Sequence, residues 1–394
     1  MRYSNYYSLI TLILLLLSCK DGSVEVAEIK VKGDFRKIKV DAEKSSIVKL
    51  SKFATPSSIE IIPLEFNQKN ILGSANKILF FDHKIYVADF SISKAIFVYD
   101  SSGHFLSKFG KAGRGPGEYL ELWDFDVTSK GVELLADDRR ILRFTHEGSF
   151  VNEIATRFYS FKFKILSDNK YVFYTKYREN TSFFKKSVHY NIILTDQKGT
   201  PEMFAFPYKS DGSGILFPLA ASHFISSNNK TYFIPSVGDT IYGISDKMIS
   251  PIVFYDFGEK SLPRDYQKNK ISTEEATFKQ IASATLLDFF YQKDSTYVCN
   301  YNYNNTICLY IYNASNGESL NIRGIIDDIN YLPIQIPSSI DGDKIVSVFN
   351  SSNLIEMHDL LREHGKTDNE IKVFKNLMDQ HTNGEFILVK YKLN

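Results

Sequence analysis

From about residue 57 onward, apolar and polar positions alternate in short runs bounded by Gly, Asn, Asp or Ser. That spacing predicts half-buried strands joined by tight turns. Residues 59–65 form one run. Runs 77–81 and 85–89 flank Asp82-His83 and predict a hairpin, and runs 95–100 and 105–110 flank Ser101-Ser102-Gly103 and predict the next. The four-run unit then returns at 122–127, 132–136, 141–144 and 150–154. Residues 96–105 align with 141–150, which puts the turn glycines Gly103 and Gly148 about 45 residues apart. Four strands recurring every ~40–50 residues are the period of a propeller blade.

Looser units follow. A third combines 161–176 with 188–199, and a fourth combines 223–244 with 252–258. A fifth runs through 286–291, 295–303 and 306–313, and a sixth through 334–337, 344–349 and 386–393. One stretch changes period. Leu354, Met357, Leu360 and Leu361, then Ile371, Phe374, Leu377 and Met378, fall at helical spacing on either side of Gly365. The expectation is an all-β, six-bladed propeller over 51–394. Its blades are four-stranded and antiparallel, and a helical insertion at 353–381 reads as a cover over one end, with a functional lid as the alternative.

The N-terminus reads differently. One charge, Arg2, precedes an apolar run from Leu9 to Leu17, followed by Ser18-Cys19. The run is the length of a secretory signal core and shorter than the ~20 residues of a spanning helix. Ser18-Cys19 resembles a bacterial lipobox. The resemblance implies removal of 1–18, lipidation of Cys19, and residues 19–50 as a charged tether. Attachment to a membrane then needs no transmembrane segment, and a multiply acylated cysteine is expected, because one acyl chain anchors only marginally.

Composition narrows the partners. Lys+Arg 47 against Asp+Glu 46 leaves no field to draw in nucleic acid. The many aromatics, Tyr 24 and Phe 31, suit pleated, half-buried surfaces. Cys299 and Cys308 flank Asn304-Asn305; if that pair is a two-residue turn, Cys299 faces Tyr310 and Cys308 faces Tyr301. Diagonal cysteines of this kind fit disulfide geometry poorly, so two free buried thiols are expected.

The segment Lys111-Ala112-Gly113-Arg114-Gly115-Pro116-Gly117-Glu118-Tyr119, after Phe109-Gly110 and before Trp123-Asp124-Phe125-Asp126-Val127, carries a family resemblance. It resembles the six-bladed β-propeller lipoproteins of Gram-negative gut anaerobes, relatives of NHL-repeat and TolB-like propellers. Residues 59–65, Gly238-Asp239-Thr240-Ile241-Tyr242 and 388–393 resemble the same family. The resemblance implies export, a lipid anchor in the outer membrane facing the periplasm or the surface, and a propeller. It implies no reaction, and the helical insertion departs from the family pattern.

Candidate chemistry is sparse. Gly113, Gly115 and Gly117 suggest either a phosphate cradle or a strained crossing between blades, but no helix and lysine follow as a nucleotide loop requires. Arg114 and Glu118 of that loop are candidate ligand contacts. Asp124 and Asp126 alternate on one strand and so point the same way, toward a cation or sugar in the channel or toward neighbouring backbone groups. Arg139, in the charged turn 137–140, is a further candidate. None of the eight histidines has metal-ligand spacing, and no nucleophile elbow is present. No cofactor is expected. The functional expectation is a non-enzymatic binding or scaffold propeller for a glycan, peptide or partner protein; the alternative is a lyase or hydrolase with a carboxylate or metal site in the channel.

Overall fold

The computed structural model describes residues 27–394 except 29–30, 32, 67, 69–70, 167–169, 185–187, 210–222, 229, 237, 246–247, 263–277, 280 and 382. Cys19 and the apolar run before it lie outside the described residues. The chain first forms four short strands: β1 (Ala27–Glu28), β2 (Arg36–Lys39), β3 (Ser46–Lys49) and β4 (Glu60–Pro63). Five consecutive four-strand groups follow. They run from β5 (Lys77–Phe81) to β8 (Phe105–Phe109), β9 (Leu122–Thr128) to β12 (Phe150–Ala155), and β13 (Lys162–Ile165) to β16 (Pro201–Lys209). The next two run from β17 (Phe224–Ser227) to β20 (Ile249–Asp256) and from β21 (Thr285–Lys293) to β24 (Ser319–Ile326).

The sixth blade contains β25 (Ser339–Asp341), β26 (Lys344–Asn350) and β27 (Phe386–Tyr391), with β4 as its outer strand, antiparallel to β27. A strand from before blade 1 thus completes the last blade. The ring is closed by backbone hydrogen bonds between the two ends of the fold, which leaves no open blade. The molecule is a six-bladed, all-β propeller, as the period of the sequence predicts.

Two features of the fold differ from the sequence expectation. Residues 334–337 are not a strand; the first strand of blade 6 is β25. The apolar character of that stretch has another cause, because Leu332 and Ile334 are a loop buried between blades 5 and 6. The stretch 19–50 is also more than a tether from Ala27 onward. β1, β2 and β3 pair in parallel with β16, β20 and β24, adding a fifth strand to the rims of blades 3, 4 and 5. In β2 and β3 one residue each is buried, Ile38 and Val48. A rim strand needs few apolar side chains, so its strand pattern is faint.

The core is divided into six apolar layers, one between each pair of neighbouring blades. Alternation along a strand explains this. Tyr86 and Ala88 pack toward blade 2, whereas Ile85 and Val87 pack toward blade 6. Both sheet faces are buried, so the middle strands read as nearly continuous apolar runs. Tight turns join them. Asp82-His83, Asp137-Asp138 and Asn304-Asn305 all have positive φ at both positions, the geometry that suits the twist of two-residue hairpins.

The two helices, Asn353–Glu363 and Lys372–Gln380, follow β26 and lie over the layer between blades 5 and 6. Leu354, Met357, Leu361, Ile371, Phe374, Leu377 and Met378 pack into it, while Leu360 is exposed. Gly365, at φ +72, ends the first helix, where the Lys366 N–H donates back to the Leu361 carbonyl. The helices form a cover at one end of the ring.

Candidate functional site

Antiparallel order fixes which loops share an end of the ring. Connections between the second and third strands, and those from one blade to the next, emerge together at what we call the upper face. The glycine loop, the turn at 137–139, the blade-to-blade passage 156–161 and the helical insertion therefore all lie there. Turns holding His83, His104 and His146 lie at the opposite, lower face.

The glycine loop is built for its own geometry. Gly117 has φ +74, and a Cβ there would stand 2.8 Å from the Phe150 ring. Gly113 has ordinary φ; it is small because the Glu118 carboxylate fills its space, where a Cβ would lie 2.0 Å from Oε2. Glu118 accepts from the Gly115 N–H at 2.9 Å and pairs with Lys111 at 2.6 Å. Lys111 holds its carboxyl below the ordinary range. The loop's glycines thus surround an internal carboxylate. Arg114 is exposed at its tip. Asp137 stitches this loop to the next turn by accepting from the Leu120 and Glu121 N–H groups, both at 2.9 Å.

Asp124 and Asp126 do point the same way, and both are buried. Asp124 accepts from the Phe163 N–H at 3.0 Å, and Asp126 from the Ile165 N–H at 2.9 Å. Phe163 and Ile165 belong to β13, the innermost strand of the next blade, whose channel-side N–H groups would otherwise lack partners. Lysines complete the ladder. Lys164 reaches Asp126 at 2.6 Å, and Lys77 from blade 1 reaches Asp124 at 2.8 Å and the Phe125 carbonyl at 2.7 Å. Lys162 donates to the Trp123 carbonyl at 2.9 Å and lies 4.0 Å from Asp124. Three inner strands are thereby tied together by ions. Trp123, at a register shift in β9, packs on Phe161 in the layer between blades 2 and 3.

Arg139 belongs to a larger group on the upper face. Its guanidinium lies over the Tyr159 ring at 4.3 Å, and that of Arg178 from blade 3 lies over the same ring at 4.5 Å. Two positions along, Lys176 and Lys162 lie over Phe161 at 4.3 and 5.2 Å. The backbone carrying both rings is tied on each side. Asn180 holds Tyr159 through its N–H at 2.7 Å and its carbonyl at 3.1 Å. The Ser160 N–H donates to Asp138 and the Phe161 N–H to Tyr174. Residues 156–161 are therefore a fixed ledge between blades 2 and 3.

Burial shapes the charges here. It pulls Lys162 down to about 8, with Asp124 opposing the shift, and it pulls Lys176 down to about 8. Burial likewise lowers His223 to about 3, keeping it neutral, and Lys162 and Lys176 add to the effect. Asp138 is raised by burial although Arg178 pairs with it at 2.6 Å. Among the described residues no cluster of His, Cys, Asp or Glu could hold a metal ion.

Of the residues singled out from sequence, Arg114, Glu118 and Arg139 share the upper face, while Asp124 and Asp126 lie in the inner ring. Lys162, Lys176, Arg178, Tyr159 and Phe161 were not singled out. One trace of the ladder was readable: Lys162 and Lys164 repeat at the same interval as Asp124 and Asp126. Nothing local marks Arg139 and Arg178 as neighbours, because they meet only across two blades.

No curated protein sequence matches the chain. Among solved structures, a Bacteroides fragilis protein described as an exported protein superposes with a TM-score of 0.68 at 15% identity, covering 92% of this chain and 100% of that one. Weaker superpositions are found with BamB from Moraxella catarrhalis (TM-score 0.38, 10% identity, 74% of each chain). Another is YCF48 bound to D1 peptide (TM-score 0.37, 11% identity, 74% of this chain and 79% of that one). The sequence pattern of one family covers residues 35–391, from just before β2 to the last residue of β27. With nearly the whole propeller inside that match, the chain belongs to the family described as domain of unknown function DUF4934.

Proposed function

We propose that the protein is an exported, lipid-anchored binding propeller that presents its upper face to a partner protein or peptide. The observation that carries this is the division of labour in the site. The channel carboxylates Asp124 and Asp126 are taken up by lysines and backbone N–H groups, while Arg139, Lys176 and Arg178 are displayed on a fixed ledge. A rigid scaffold that presents long connecting loops at one face is suited to recognition. The lipobox at Ser18-Cys19 and the likeness to a protein described as exported support export to the outer membrane, facing the periplasm or the surface. A glycan ligand is a weaker choice, because cations already cover the Tyr159 and Phe161 rings on which a sugar would stack.

Two experiments test the reading. A photo-crosslinking residue at Arg114 should capture a partner in intact cells of the native host, and the same residue at His104 on the lower face should not. Cys19→Ser should release a folded protein from the membrane fraction; if the variant stays firmly bound, the anchor lies elsewhere.

One observation favours a second reading, a lyase or hydrolase. Lys162, lowered to about 8 beside a carboxylate, has the character of a general base. Turnover of a glycan or peptide that vanishes in Lys162→Met and Asp124→Asn, with the fold intact, would replace the binding reading.

A further inference from the structure

We propose that the ledge between blades 2 and 3 binds an acidic peptide segment, with carboxylates at alternate positions pairing with Arg139 and Lys176. The inference rests on the binding-propeller reading and gives its ligand a chemistry. It begins with unmatched charge. Five cationic groups gather here: Lys77, Lys162, Lys176, Arg139 and Arg178. Asp124 pairs with Lys77 and lies at the limit of pairing with Lys162, and Asp138 pairs with Arg178. Among the described residues, Arg139 and Lys176 have no carboxylate within ion-pairing distance; each rests on a ring.

Stacking leaves these groups ready for an anion. A guanidinium lying on a ring has its face covered and its in-plane N–H donors free, and those donors match a carboxylate in bidentate geometry. Lys176 is partly withdrawn from water, so a charge brought beside it is poorly screened. The ledge is anchored before any ligand arrives, which reduces the ordering that binding requires.

Spacing selects the ligand. Along the ledge Phe158 and Ser160 are buried, while Tyr159 and Phe161 are half-buried. Alternate side chains thus share a side, which sets the Arg139 and Lys176 stations two residues apart along the ledge. Two cation stations at that interval match carboxylates at positions i and i+2 of an extended peptide. A single small anion reaches only one of them.

The test uses the full chain in detergent and two fluorescein-labelled peptides, Glu-Ser-Glu-Ser-Glu and Gln-Ser-Gln-Ser-Gln, followed by anisotropy. The acidic peptide should bind at least about tenfold more tightly at low salt, and the advantage should narrow at about 0.5 M salt as screening sets in. Arg139→Gln and Lys176→Gln should each weaken it by roughly five- to tenfold, the scale of a typical net hydrogen bond. Arg139→Lys should recover only part of the loss, and Lys198→Gln, on the lower face, should cause none. Equal affinity for both peptides, binding of neither, or equal losses from Lys198→Gln would overturn the inference. A neutral peptide bound through the upper face would sink the acidic chemistry and leave the binding-propeller reading standing. The crosslinking comparison decides that reading independently.

Discussion

Asp124→Asn is the most informative single change in the inner ring. The carboxylate is 1% exposed and serves Lys77, the Phe163 N–H and, at 4.0 Å, Lys162. Asparagine keeps an acceptor for the N–H and removes the charge. Lys77 and Lys162, themselves 7% and 3% exposed, are then buried without an anion. Removing one partner of a buried pair costs about 3–5 kcal/mol, because the remaining charge is uncompensated. At about 2.1 cal/mol/K of unfolding entropy per residue over the family-matched body, that is a fall in Tm of roughly 4–7 °C at pH 7. The pH dependence identifies the cause. In the wild type, Lys162 titrates near 8 when folded and roughly 10.4 when unfolded. The folded protein binds fewer protons between those values, so stability rises as pH climbs from about 8 toward 10.4. Without Asp124, Lys162 loses its opposing charge and deprotonates at lower pH. The gap between variant and wild type should therefore shrink from pH 7 to pH 9.5. Thermal unfolding followed by intrinsic fluorescence at both pH values measures it. A shift below about 1 °C at pH 7, or a gap independent of pH, would refute the ion-ladder account.

Three further outcomes follow from the fold. Asn304→Ala with Asn305→Ala places alanine at φ 48 and 57, so the urea midpoint should fall by the equivalent of about 1–2 kcal/mol, whereas Asn305→Gly should leave it nearly unchanged. In a Cys19→Ser background, Cys299 and Cys308 should resist a maleimide dye until the chain is unfolded. Both are buried, and burial pushes the Cys299 thiol up to about 12. His223 is held near 3 by burial against about 6.5 unfolded, so its contribution is complete above 6.5 and is lost as pH falls toward 3; His223→Gln should flatten the acid limb of stability between pH 4 and 6.

Legibility in the sequence followed where the signal was local. The hairpin at Asn304-Asn305 was predictable together with its register, and Cys299 does oppose Tyr310 and Cys308 Tyr301. Both thiols are free. The glycine loop was readable as a motif, but its reason was not. Gly113 is small because of a carboxylate five residues later, and Gly117 because of Phe150 at the far edge of the same blade. The rim strands β2 and β3 escaped notice because backbone hydrogen bonds hold them in place with one buried side chain each. The helical insertion was legible in period, though Leu360, at the right spacing, faces water.

By itself, the sequence determined the repeating unit, the number of blades, the turn chemistry and the helical break. These depend on contacts between residues near one another in the chain, and alternation records them directly. Tertiary structure alone decided what the charges are for. Asp124 and Asp126 became staples because β13 of the next blade presents bare N–H groups at the same two-residue interval. Arg139 became part of a site because ring closure sets Tyr159 between it and an arginine about 40 residues later. Apart from the shared two-residue interval of Asp124/Asp126 and Lys162/Lys164, pairings across blades leave no periodic mark in the sequence, since the partners are brought together only when the ring closes.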